Sequence, residues 1–148
     1  RRLWEQKFGR NHEATHNYPA SLCWHVIRSY IKGLDADSLL EPNEYAELAA
    51  EQRTLDQALY QLIYDKVWGK WYQPLCKHGQ YLDDQDLARH VLSQEWVSAR
   101  FPAIFCDEAQ DFTRIEMHII LRLNLFSARQ LRPDEIQRVP LVFAGDQF

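Results

Sequence analysis

Two adjacent carboxylates, Asp107 and Glu108, follow the apolar run Ala103-Ile104-Phe105-Cys106, and a third, Asp146, follows Leu141-Val142-Phe143-Ala144 across Gly145. Acids at the ends of short apolar runs suit a nucleotide–metal site. One carboxylate can hold hydrated Mg²⁺, which takes one or two carboxylates and keeps several waters. Its neighbour points elsewhere and can orient a water for attack on a phosphoryl group. An acidic pair by itself is also an ordinary helix start, where negative charge offsets the helix dipole. A second pattern, His12-Glu13-Ala14-Thr15-His16, matches the H-E-x-x-H zinc-protease signature. That chemistry needs both histidines one turn apart on a stable helix and a third ligand elsewhere. Gly9 before the pattern and Pro19 after it leave room for only a short helix, so a polar turn that matches by chance is the plainer reading.

The elements that position the acids follow from the pattern. Pro102 precedes the first run, and Ala103 to Cys106 show no alternation, which suits a strand covered on both faces of a parallel sheet. Thr113-Arg114-Ile115-Glu116 is a capping box opening a helix over 114–128, with Ile115, Ile119, Leu123 and Phe126 inward. A second strand spans Pro140 to Ala144. Strand, helical crossover and strand make one parallel βαβ unit, with Asp107, Glu108 and Asp146 on the same carboxyl edge. The glycine at residue 145 lets backbone come close to a ligand.

The preceding region reads as helices. Leu22, Val26, Ile27, Tyr30 and Ile31 keep helical spacing from Pro19 to Gly33, with Lys32 as a C-terminal cation. A loop covers Asp35 to Leu40, and Pro42 opens a short helix. The longest helix runs from about Thr54 to Lys77 and ends at Gly79. It carries Tyr60, Tyr64, Trp68, Trp71 and Tyr72, which could stack bases beside Lys66, Lys70 and Lys77, but large rings at this spacing are expected to form core. The next helix starts at Leu82-Asp83-Asp84-Gln85-Asp86-Leu87, with Leu87, Val91, Leu92 and Trp96 inward. Its acids lack the glycine and distal glutamate of a calcium loop. The expected fold class is α/β, predominantly helical, in three stretches: a polar segment 1–18, a helical region 19–100 and a βαβ part 101–148.

The 148 residues carry a net charge of −4, so composition does not announce a nucleic-acid binder. Three cysteines, far apart, argue against a disulfide framework and fit a reducing compartment. No apolar run approaches the roughly 20 residues of a membrane helix, and no signal peptide is evident, so the expected location is cytoplasmic, or nuclear in a eukaryote. The chain opens without Met and stops directly after a strand-like run, as expected of a fragment of something longer.

Cys106-Asp107-Glu108-Ala109-Gln110-Asp111 resembles the Walker B element, DExQD, of the UvrD/Rep/PcrA group of superfamily 1 helicases. Phe143-Ala144-Gly145-Asp146-Gln147-Phe148 resembles the start of their motif III, of the form GDxxQ. Weaker similarities, Asp86-Leu87, Trp24 to Gly33 and Glu44-Tyr45, suggest a divergent UvrD-like branch. The resemblance implies part of a P-loop, RecA-like parallel sheet with an inserted helical region. It implies ATP and Mg²⁺ as cofactors and DNA, single- or double-stranded, as partner, with RNA as the alternative. Asp107 would hold Mg²⁺ through water, and Glu108 would be the general base. Gln110 and Asp111 would couple nucleotide state to neighbouring motifs. Gly145 and Asp146 would shape the turn beside the phosphates. No G-x-x-x-x-G-K-[ST] occurs, so the phosphate cradle is missing and these residues alone are expected to be inactive. The resemblance also implies a neighbour for the second strand that is missing here, leaving 141–144 as an edge through which the fragment self-associates or which its own helices cover. The competing reading is a non-catalytic helical interaction module whose acidic loop is only a cap.

Overall fold

The structure, a computed structural model, describes residues 18–94, 97–128 and 140–145. The chain divides into two compact units, Arg1–Asp83 and Asp84–Phe148.

The first unit is helical. Helix α1 begins after Pro19 at Ala20–His25 and continues through wider π-type turns over Val26–Lys32 to a cap at Gly33. Helix α2, Pro42–Glu47, has its proline in the first turn and a reciprocal Glu41–Glu44 capping box. Helix α3 runs through residues 57–79: Gln57–Ile63, π-type turns over Tyr64–Tyr72, then Gln73–Gly79. Asp56, rather than Thr54, caps it by accepting from the Ala58 N–H. Gln80 turns left-handed after Gly79, and the Tyr81 ring lies where a side chain at residue 79 would stand.

The aromatic series of α3 is core. Tyr60 and Trp68 are buried, and Tyr64, Trp71 and Tyr72 pack half-buried against the same cluster. Tyr45 and Tyr60 stack with centroids 3.9 Å apart, and Tyr30 meets Tyr45 edge-on at 5.3 Å. Each hydroxyl ties down backbone: Tyr60 donates to Leu40 O at 2.8 Å, Tyr45 to Leu55 O at 2.9 Å and Tyr30 to Gln52 O at 3.1 Å. Buried hydroxyls thus gain the partners that burial demands. Lys32, expected as a simple helix-end cation, is also buried. It forms a 2.6 Å ion pair with Asp83, which accepts from the Tyr72 hydroxyl at 2.7 Å.

The second unit holds helix α4, Asp84–Ser93, strand β1, Ile104–Cys106, helix α5, Arg114–Leu123, and strand β2, Leu141–Phe143. The strands are parallel, pairing Ile104 with Leu141, Phe105 with Val142 and Cys106 with Phe143. An α/β, predominantly helical class therefore holds. Three expectations are corrected. β1 is not covered on both faces, since Phe105 is 77% exposed and Val142, its pair, 49%. α4 turns Gln85, Ala88 and Leu92 inward and leaves Leu87 exposed; Trp96 lies outside the described residues. The helix expected over 114–128 stops at Leu123. There buried Asn124 bridges to Phe101 and accepts the Phe126 N–H, and one 3₁₀ turn follows over Leu125–Ala128.

Among the described residues no helix is long and apolar enough to cross a membrane.

Candidate acidic-loop site

The acidic loop leaves β1 at Cys106 and enters α5 at Thr113. Strand pairing continues past β1 and β2 through two further bonds: Ala144 N–H donates to Cys106 O, and Ala109 N–H donates to Ala144 O, each at 2.8 Å. The loop is therefore stitched to the end of β2. Gly145 comes close to the loop there, with no unusual φ. A Cβ on it would collide with the Gln110 side-chain oxygen.

Asp107 Oδ1 accepts the Glu108 N–H at 3.0 Å. Glu108 then turns left-handed, with φ 51° and ψ 42°, a conformation that costs a non-glycine residue about 1–2 kcal/mol. Across this turn the two successive carboxylates take different partners. Glu108 Oε2 accepts the Gln110 amide at 2.6 Å. A single 3₁₀ turn, Ala109–Asp111, follows, closed by Asp111 N–H to Glu108 O at 2.9 Å. Asp107, Glu108, Gln110 and Gly145 are thus gathered within one loop and the strand end beside it, all solvent-exposed. Asp146, the expected third carboxylate, lies outside the described residues, as do His12, Glu13 and His16 of the zinc pattern.

Among the described residues no three His, Cys, Asp or Glu side chains converge as a metal cage. Hydrated Mg²⁺ does not need one, and Asp107, exposed with Oδ1 on a backbone amide, suits a cation bound through water. Backbone N–H groups around a phosphate, the other requirement for ATP, have no glycine-rich loop to supply them in this sequence.

Downstream, the loop is fastened by the capping box read from the sequence. Thr113 N–H donates to Glu116 Oε2 at 2.7 Å, and Glu116 N–H reaches Thr113 Oγ1 at 3.4 Å. Sequence reasoning missed the residue that completes this cap. Gln85 of α4 is wholly buried and bonds both cap side chains. Its signal was the spacing of Gln85, Ala88 and Leu92, a helix face one polar residue short of apolar.

No protein-family model, curated protein or solved structure matches the chain.

Proposed function

We propose that this chain carries the hydrolysis side of an ATP-driven nucleic-acid translocase similar to the UvrD/Rep/PcrA helicases. The observation that supports this most is the parallel pairing, which brings the Asp107-Glu108 loop against Gly145 through the Ala109–Ala144 bond. Carboxyl ends of neighbouring parallel strands are where open α/β sheets place their ligands. In this reading Asp107 holds Mg²⁺ through water, and the ion's part is to neutralise phosphate charge. Glu108 orients and deprotonates the attacking water, and Gln110 holds the Glu108 carboxylate in place. The phosphate cradle comes from residues outside these 148, so the isolated piece neither turns over nor tightly binds ATP.

The test is Glu108→Gln in the full-length protein. Nucleic-acid-stimulated ATP turnover should fall by about 10²- to 10⁴-fold, the usual worth of a general base, while nucleotide binding persists. Unchanged turnover would sink the proposal. One feature favours the rival reading of a non-catalytic interaction module: the loop satisfies its own carboxylates, Asp107 on the Glu108 amide and Glu108 on Gln110. That reading expects no ATPase in the full-length protein, with or without the substitution.

A second copy of the isolated chain is the proposed partner for the exposed strand pair, through residues 141–144. Sedimentation of the 148-residue chain should show concentration-dependent association that Val142→Lys abolishes. Monomers at every concentration would count against it.

A further inference from the structure

Gln85 has no solvent exposure, yet it is a polar amide on the inward face of α4. We propose that it is a positioning residue for the acidic loop, setting the backbone of Glu108 from a distance through the Thr113–Glu116 cap. The kinetic part of the claim rests on the ATP-hydrolysis reading; the geometric part does not.

The loop is held at two points. Upstream, at the end of β1, Cys106 O accepts the Ala144 N–H, and just past Glu108 the Ala109 N–H donates to Ala144 O. Downstream, Thr113 is buried, with its N–H on Glu116 Oε2 at 2.7 Å. In an ordinary capping box the threonine oxygen is fixed by accepting the N–H three residues on. Here that bond is long, 3.4 Å, and the hydroxyl is fixed instead by donating to Gln85 Oε1 at 2.8 Å. The other end of the same amide donates to Glu116 Oε1 at 2.7 Å. One glutamine therefore orients the Thr113 hydroxyl and occupies the second oxygen of Glu116, closing a ring of bonds around the end of the loop.

Between Cys106 and Thr113 sits Glu108 in the left-handed region, tied to the downstream side by its carbonyl, which accepts the Asp111 N–H at 2.9 Å. Such a conformation persists only where the surroundings over-determine it. If the downstream anchor slackens, Glu108 relaxes toward the extended or right-handed region and its carboxylate swings away. Misplacement on the scale of 1 Å can cost about a hundredfold in rate without any contact to substrate.

The experiment uses the full-length protein and exchanges donor for acceptor. Gln85→Glu sets two carboxylates face to face. The double variant Gln85→Glu with Glu116→Gln restores the pairing in mirror order, at unchanged net charge: the new amide donates to the new carboxylate, and Thr113 keeps both partners. For Gln85→Glu we expect faster amide hydrogen exchange at residues 109–113 and kcat for ATP lowered by about tenfold or more with KM little changed. The double variant should return both toward wild type. Where Gln85→Glu folds poorly, Gln85→Met, which keeps the bulk and removes both bonds, takes its place. Unaltered exchange at 109–113 in these variants, or a swap that recovers thermal stability but not kcat, overturns the proposal. Should Glu108→Gln leave ATP turnover intact, the hydrolysis reading fails by itself, and the exchange measurement still decides the role of Gln85.

Discussion

The two units solve burial in opposite ways. All seven tyrosines of the chain fall in the first, and several sit in a continuous aromatic and aliphatic core. The second has no tyrosine, and much of what it buries is polar: Gln85, Thr113 and Asn124, beside Ala88, Leu92 and Ile115. Its bulky apolar strand side chains, Phe105, Val142 and Phe143, face outward. The helical unit is held by ring packing and by hydroxyls that staple loops, and the strand unit by a few directional bonds around a strained turn. Directional bonds fix a conformation that packing alone leaves loose, so the contrast puts stability in one unit and precise geometry in the other.

The contrast can be broken most forcefully at Lys32. Removing one partner of a buried ion pair costs about 3–5 kcal/mol because the other charge stays buried. Lys32→Met should therefore unfold the first unit at much lower urea, by tyrosine fluorescence, while hydrogen exchange over α5 stays as in wild type. A parallel loss across both units would show that they do not fold separately.

Alkali should sharpen the same contrast. Burial pushes the Cys23 thiol up to about 11 and raises the phenols of Tyr45, Tyr60, Tyr64 and Tyr72; for Tyr72 the bond to Asp83 adds to burial. Groups whose folded pKa is raised stabilise the fold fully below their unfolded values, and that contribution is lost as pH rises through the folded ones. Stability of the first unit should decline above about pH 9–10, where free thiols and phenols ionise. Tyrosine absorbance follows this unit alone, since the second contains no tyrosine. Phenols that titrate freely near pH 10, with no unfolding, would contradict the buried arrangement.

The smallest effect is expected at Glu108. Glycine adopts the left-handed turn without steric penalty but loses more entropy on folding. Glu108→Gly should leave stability unchanged or raise it by up to about 1 kcal/mol, while abolishing any ATP turnover. A clear loss of stability would mean that the carboxylate, rather than the backbone, holds the turn together.

Much of this arrangement was legible in the sequence, for local reasons. Pro42 and the Thr113–Glu116 pair mark helix starts because their physics is contained within one turn. The parallel strands followed from two apolar runs joined by a helical crossover. Side assignments fared worse. An apolar run without alternation carries no information on which face is covered, and Phe105 proved exposed. Leu87 drew α4 into the wrong phase because its inward face carries a glutamine, whose satisfaction by Thr113 and Glu116 depends on tertiary contact. Lys32 and Asp83 stand 51 residues apart, and no local pattern joins them. In the site, residue types placed Asp107 and Glu108 at a strand end, but the left-handed turn at Glu108 is a backbone fact that types alone do not specify.

The side-chain oxygen of Gln110 rests where a methyl on residue 145 would have to stand, so the acidic loop and the end of β2 touch at this point. Through its 2.6 Å bond to Glu108, that same amide feels any tug on the carboxylate. Enlarging residue 145 to alanine would push the exposed Gln110 amide aside, and with it the bond to Glu108, without touching an acidic group.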